Sequence, residues 1–256
     1  MRIKNTSYQI QKPDITKIKR RKKVISLLIG LLILSGTIFL GYRISNSRSF
    51  QFFGEIIHRV DTQEKVVALT FDDGPTGRTD EIIKLLEELD VKATFFVTGR
   101  ELEENKQEGR NLVLAGHELG NHSYSHKRMV LKSPSFIKTE IESTDYLIRE
   151  AGYQGDIHFR PPNAKKLAVL PYYLMRNEIK TIMWDVEPES YPEIAACSEE
   201  IINHVINNVN PGSIILLHVM YESRRESLNS IKGIVNALKA EGYTFKRVSE
   251  LLEYQI

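Results

Sequence analysis

Nineteen consecutive residues, 24–42 (VISLLIGLLILSGTIFLGY), carry no charge. As a helix rising about 1.5 Å per residue, the run reaches roughly 28 Å, close to the hydrocarbon thickness of a bilayer. A buried helix of a soluble domain usually keeps a polar face, and this run has none. It therefore reads as a membrane span and prevents the chain from folding as one soluble globule. A cleaved signal peptide shares the basic front and apolar core, but its core is typically about 7–15 residues long and is followed by a small-x-small cleavage site. This run is longer and no such site follows it, which favours an uncleaved anchor.

Charge supports that division. The 256 residues have a formal net charge of only +2, yet residues 1–23 hold nine Lys or Arg against Asp14, a net +8, so the remaining 233 residues sum to −6. A basic block on one flank of a span sets orientation, placing the N-terminus in the cytoplasm and the rest of the chain outside. A nucleic-acid binder would carry its basic excess on the folded part, so no nucleic-acid partner is expected. The composition, 41% apolar and 27% charged, excludes a collagen-like or mostly disordered chain. Cys197 has no second cysteine to pair with, and its setting in a helical AACSEE stretch suggests a small buried packing residue.

The expected organisation is a basic cytoplasmic segment 1–23, an anchor 24–42, a connector 43–64 and one domain 65–256. The connector contains Phe50, Phe52, Phe53, Ile56 and Ile57, too apolar for a free linker, so it should pack on the domain or sit at the membrane surface. From Lys65 short β-branched or aromatic runs alternate with helical-period segments. Strands are expected at 66–71, 93–99, 117–120, 157–159, 181–185, 213–217 and 243–245. Helices are expected over 80–90, around 111–115, after the Ser133-Pro134 cap, and near 165–177, 193–208, 226–241 and 247–254. Repeated strand-then-helix units imply parallel strands with crossover helices, hence a doubly wound sheet or a barrel.

In such folds chemistry gathers where strands end. The first strand delivers Asp72-Asp73-Gly74-Pro75, two adjacent carboxylates that leave the strand toward opposite sides; as a plain turn, Asp-Gly-Pro would also be ordinary. His122 and His126 are spaced to share one face of a helical turn and one metal ion. With Asp73 they make an Asp-His-His set that leaves a coordination position open. Arg160 follows another short strand and can hold a carboxylate by a forked hydrogen bond. His218 ends an apolar strand and suits proton donation near neutral pH. Taken singly, Arg160 and His218 are each better explained as structural residues.

TFDDGP (70–75), GHELGNHSYSH (116–126), RPPN (160–163) and LLH (216–218) together resemble the ordered motifs of the polysaccharide deacetylase family, also called the NodB-homology or carbohydrate esterase 4 family. The resemblance implies a distorted (β/α) barrel of about seven parallel strands, and metal-dependent removal of N-acetyl groups from N-acetylglucosamine or N-acetylmuramic acid units. It further implies that Asp73, His122 and His126 hold one divalent ion, zinc first, with cobalt or another ion as alternatives. Asp72 would be the general base, Arg160 would hold it, and His218 would protonate the leaving amine. The backbone N–H of Asn163 would face the developing oxyanion, Leu216 would line the acetyl pocket, and Tyr191 would shape the sugar groove.

The chain departs from the family pattern at Asn163 (usually Tyr), Ala164 (usually Gly), Ser190 (usually the Asp that charges the proton-donating histidine), Tyr191 (usually Trp) and Val219 (often Asp). His218 is thus without its usual partner unless Asp185, Glu187 or Glu189 substitutes. The leading expectation is a single-pass membrane enzyme with an extracytoplasmic catalytic domain acting on an N-acetylated cell-wall glycan, peptidoglycan first; the expected partners are that glycan and, through the helix, membrane lipid. Two alternatives remain open at this level: a wall-binding or scaffold protein with impaired catalysis, and a related O-deacetylase or amide hydrolase.

Overall fold

The structure is a computed structural model that describes the backbone from Ile15 and side chains from Lys19 onward. Of the basic segment expected over 1–23, Arg2, Lys4, Lys12 and Asp14, and the side chain of Lys17, lie outside the described residues. The described chain forms two units, divided between Arg43 and Ile44. The first is most of helix α1 (Ile15–Ser45), whose apolar side chains face outward along its length, Leu32 being 72% exposed. Among the described residues it is the one helix long and apolar enough to cross a membrane.

The second unit, Ile44–Ile256, has its own core. It begins upstream of residue 65 because the segment expected as a connector takes part in the fold. There β1 (Ile56–Ile57) pairs in parallel with β5 (Thr181–Ile182), and Gln51 donates to the Glu55 carbonyl and to Thr181 Oγ1. The other strands are β2 (Val66–Asp72), β3 (Thr94–Val97), β4 (Glu118–Asn121), β6 (Ile214–His218) and β7 (Thr244–Lys246). Their parallel ladders run in the order β4-β3-β2-β6, with β7 also paired to β2. Single-residue parallel bridges, Asn121 to Phe159, Phe159 to Thr181 and Val186 to Ile215, complete the ring. This is the distorted (β/α) barrel expected. Its irregular side lies where residues 157–159 offer only Phe159 for pairing.

Helices between the strands are α2 (Thr79–Glu88), α3 (Gly99–Glu104), α4 (Lys106–Leu114), α5 (Pro134–Glu150), α6 (Val169–Arg176), α7 (Pro192–Ala195), α8 (Ser198–Asn208), α9 (Arg225–Ala240) and α10 (Val248–Leu252). Ser133 Oγ caps α5 by accepting from Phe136 N–H at 3.2 Å, with Pro134 in the first turn. The helix expected over 193–208 is broken at Cys197, which is extended (φ −143°) between α7 and α8 and exposed, not buried.

Strand alternation positions the site. In β2, Val67, Leu69 and Phe71 join the outer core beneath the helices, whereas Val66 and Ala68 join a second core on the opposite face. A period of two puts Thr70 and Asp72 on that second face. In β6, Ile215 and Leu217 belong to the outer core while Ile214 and Leu216 belong to the second, so His218 follows them. Asp72 and His218 are direct partners in the β2–β6 register. Gly120 in β4 has a packing reason: a Cβ there would approach the Phe96 ring to 2.5 Å.

Candidate active site

Thr70 and Asp72 share the buried guanidinium of Arg160, which has no solvent exposure. Arg160 Nη1 donates to Asp72 Oδ1 at 2.7 Å and to Thr70 Oγ1 at 2.9 Å. Nη2 donates to the Met183 carbonyl at 3.1 Å and Nε to the Ile182 carbonyl at 3.3 Å, and the plane lies 3.9 Å from the Phe96 ring centroid. The forked contact expected with Asp72 is therefore a single short bond, because the other donors are taken by backbone carbonyls and Thr70. Burial opposes ionisation of Asp72, but the charges of Arg160, His122 and His218, with the Arg160 hydrogen bond, hold its pKa below the ordinary aspartate value. It is thus a carboxylate at neutral pH, as a base must be.

Asp73, His122 and His126 come together at the same rim, their candidate ligand atoms all within 4.8 Å of one another. His126 Nε2 is 3.6 Å from Asp73 Oδ1. His122 Nδ1–H donates to the Arg160 carbonyl at 2.8 Å, which leaves the Nε2 lone pair for the site. Burial lowers the His122 pKa despite the neighbouring Asp72, favouring the neutral imidazole that a metal ligand requires. Two imidazole nitrogens and one carboxylate are a donor set suited to zinc, so the residues present fit a single divalent ion.

Backbone conformation is strained at this rim. Among the described residues eight non-glycine positions have positive φ, and five of them are Asp73 (73°), Ser123 (65°), His126 (54°), Asn163 (55°) and Ala164 (59°). The surrounding polar groups hold these loops. Asn121 Oδ1 accepts from Ser123 N–H at 2.8 Å, while buried Glu140 accepts from Ser125 N–H at 2.8 Å and Ser125 Oγ at 2.7 Å. Glu101 accepts from Gly74 N–H at 2.8 Å and from Thr98 Oγ1 at 2.8 Å. The charged run 101–110 therefore contributes one carboxylate to the Asp72–Pro75 turn. Ala164 has no such excuse in side-chain chemistry, since an L-residue in the left-handed region costs roughly 1–2 kcal/mol that glycine avoids. Ala164→Gly is expected to raise stability by up to about 1 kcal/mol once glycine's extra unfolded-state entropy is counted; an unchanged or lower melting temperature would contradict this.

Opposite Asp72, His218 has found a carboxylate. Its Nδ1–H donates to Glu189 Oε2, and its backbone N–H donates to Glu189 at 3.0 and 3.1 Å. Ser227 Oγ donates to the same carboxylate, whose side chain is 3% exposed. Burial of His218 opposes its charge, but the Glu189 hydrogen bond and charge, with Asp72 and Asp73 farther off, raise its pKa to about 9. Glu189 had been one of three candidate substitutes in the sequence; Asp185 instead accepts from Ser213 Oγ and Ile214 N–H, and Glu187 faces Trp184 and Ser190. Val219 is fully buried in the outer core, away from this partner.

These groups open into a cleft of about 420 Å³ lined by Asp72, His122, His126, Asn163, Leu216 and His218, among others. Within the turn at 162–164 the N–H groups of Ala164 and Lys165 donate to the Pro161 and Pro162 carbonyls, while that of Asn163 has no partner among the described residues. Tyr191 is not brought to the cleft wall: it caps α7 and its ring lies 5.3 Å from that of His204. Residues 192–195 begin a helix immediately after it, which turns the ring toward α8.

The polysaccharide deacetylase family model matches residues 59–182. A peptidoglycan-N-acetylglucosamine deacetylase of Bacillus cereus is 30% identical over 203 residues, covering 79% of this chain and 95% of that protein. A peptidoglycan-N-acetylmuramic acid deacetylase of Bacillus subtilis is 29% identical over 75% of this chain and 73% of that protein. Among solved structures, a mutant of a carbohydrate esterase family 4 pseudoenzyme with restored enzymatic activity matches with a TM-score of 0.70 at 30% identity, over 78% of this chain and 71% of that one; the wild-type pseudoenzyme is from Bacillus anthracis.

Proposed function

Because this chain belongs to the polysaccharide deacetylase family and is a hydrolase of carbon–nitrogen bonds other than peptide bonds, we propose that it removes N-acetyl groups from peptidoglycan, with Asp72 as base and His218 as acid. The observation that carries this reading is the convergence in one cleft of an ionised Asp72, an Asp-His-His donor set and a His218 charged by Glu189. Its relatives' substrates support the glycan assignment.

Asp73, His122 and His126 would hold one divalent ion, zinc first, which when bound acidifies water and polarises the acetyl carbonyl. Asp72, kept ionised and aimed by Arg160, takes the proton of the attacking water. The Asn163 N–H would receive the charge that develops on the carbonyl oxygen, where a preorganised donor contributes about 3–4 kcal/mol. His218 then delivers its Nε2 proton to the amine nitrogen as the carbon–nitrogen bond breaks, leaving acetate and a free amino sugar. Leu216 supplies an apolar contact for the acetyl methyl group. Helix α1 supports placement at a membrane: as an anchor oriented by its basic flank it would hold the domain outside the cell, and as a signal sequence it would direct export.

The alternative of an impaired wall-binding protein draws its support from Asn163 and from the departures at Ser190 and Tyr191. For Ser190, Glu189 would supply the charge from the neighbouring position. Glu189→Gln is expected to lower kcat at neutral pH roughly 10- to 100-fold. The sign of the pH effect follows from the acid role: His218 must be protonated, so activity falls as pH rises through its pKa, near 9 in the native protein. Without Glu189 burial dominates, and the alkaline limb should move down into or below the ordinary histidine range. A limb left in place would remove Glu189 from this role.

The deciding assay is acetate release by the zinc-loaded full chain in detergent from N-acetylated and O-acetylated oligosaccharides, with and without a chelator. Chelator-sensitive release from the N-acetylated substrate is expected. Activity confined to the O-acetylated substrate would overturn the N-deacetylase reading.

A further inference from the structure

One wall of the cleft comes from residues that precede every strand of the barrel. Asn46 and Arg48 line it beside Trp184 and Glu187. The stretch begins at the end of α1, which closes at Ser45. Its attachments are specific. Lys166, 1% exposed, donates its backbone N–H to the Ser45 carbonyl at 3.3 Å and its Nζ to the Ser47 carbonyl, while Lys165 Nζ donates to Asn46 Oδ1. Burying a lysine is costly unless its donors are used, so the Ser47 carbonyl is a strong constraint on the path of the chain. Arg48 Nη2 then reaches Glu187 Oε2 at 2.5 Å, with its guanidinium carbon 4.7 Å from the Trp184 ring centroid. The same Glu187 oxygen accepts from Trp184 Nε1 at 2.9 Å and Ser190 Oγ at 2.6 Å.

We propose that Ser45–Arg48 is a working wall of the glycan cleft and that Arg48 is its positioning residue. This rests on the deacetylase reading for its ligand, an extended N-acetylated oligosaccharide. Arg48 gathers Glu187, Trp184 and Ser190 into one surface, and its side chain, 37% exposed, offers the remaining N–H groups to sugar hydroxyls. No catalytic group touches it: Asp72 is held by Arg160 and His218 by Glu189. The effect of losing it should therefore fall on substrate binding and leave the chemical step largely intact. Residues that directly follow the apolar helix in sequence are thus part of the site and not a passive tether.

The test uses the zinc-loaded full chain in detergent and N-acetylglucosamine oligomers. Arg48→Ala should raise KM about tenfold, the scale of one charge-assisted hydrogen bond, with kcat changed less than about threefold. Arg48→Lys should recover part of the loss, and zinc content should match the native protein. Should Arg48→Ala fail to fold, Arg48→Gln carries the same comparison. A parallel arm measures equilibrium binding of the oligomer to Asp72→Asn, with and without Arg48→Ala, where affinity should fall by a similar factor. Native KM and native affinity in the Arg48 variants would overturn the proposal, as would loss of kcat or zinc with KM unchanged. If the native chain released no acetate, the deacetylase reading would fail, and the binding arm would still decide the role of Arg48; absence of oligomer binding there would overturn both.

Discussion

Alanine at Asp73, His122 or His126 is expected to abolish tight zinc binding and to lower acetate release by roughly 10³-fold or more, since Lewis-acid assistance is worth several kcal/mol and each 1.36 kcal/mol is tenfold in rate. The three proposed ligands would have little redundancy. Their candidate donor atoms lie within 4.8 Å of one another, and removing one leaves only two protein ligands. The positive φ of Asp73 and His126 means that the backbone already holds an uncommon conformation to present them. Metal content by elemental analysis, taken with activity on the same sample, checks this. Stoichiometric zinc and native activity in any one of the three variants would exclude that residue as a ligand.

The second large effect concerns the neighbouring carboxylate. Asp72→Asn is expected to retain zinc and lose about 10²–10⁴-fold in kcat, the usual contribution of a positioned base. Asn keeps an acceptor for Arg160 Nη1 but removes the countercharge from a guanidinium with no solvent exposure. Some stability should go with it, bounded by the ~3–5 kcal/mol that breaking a buried ion pair costs. The informative result is the separation: metal retained and turnover lost. Asp72→Asn releasing acetate within a tenth of the native rate would assign the base elsewhere.

Much of this site was legible in the sequence because its groups stand at strand ends. The alternation in 66–71 and 213–217 places Asp72 and His218 one step beyond two buried runs, and the i, i+4 histidines need only a short turn to meet. The resemblance supplied their roles. What could not be read was the partner of any group whose neighbour is distant in the chain. Glu140 lies 15 residues beyond Ser125, and Glu101 lies 27 beyond Gly74; each looks like an ordinary surface acid until helices α5 and α3 pack against the rim. Glu189 was visible as a carboxylate but not as the chosen one, because three acids within five residues compete and only the path of the 188–190 turn selects among them.

The same distinction separates the chain's two units. Nineteen uncharged residues by themselves make 24–42 long and apolar enough to cross a membrane as a helix, since hydrophobic transfer depends on composition and not on partners. Strand period likewise determines parallel α/β units with the candidate site at strand ends, and the motif resemblance implies that they close as a barrel. Tertiary structure alone decided that residues 44–64 belong to the domain, that Tyr191 turns away from the cleft, and that Glu189 charges His218. Those outcomes depend on hydrogen bonds and ion pairs that act over a few ångströms, between groups that only the closed barrel brings within reach.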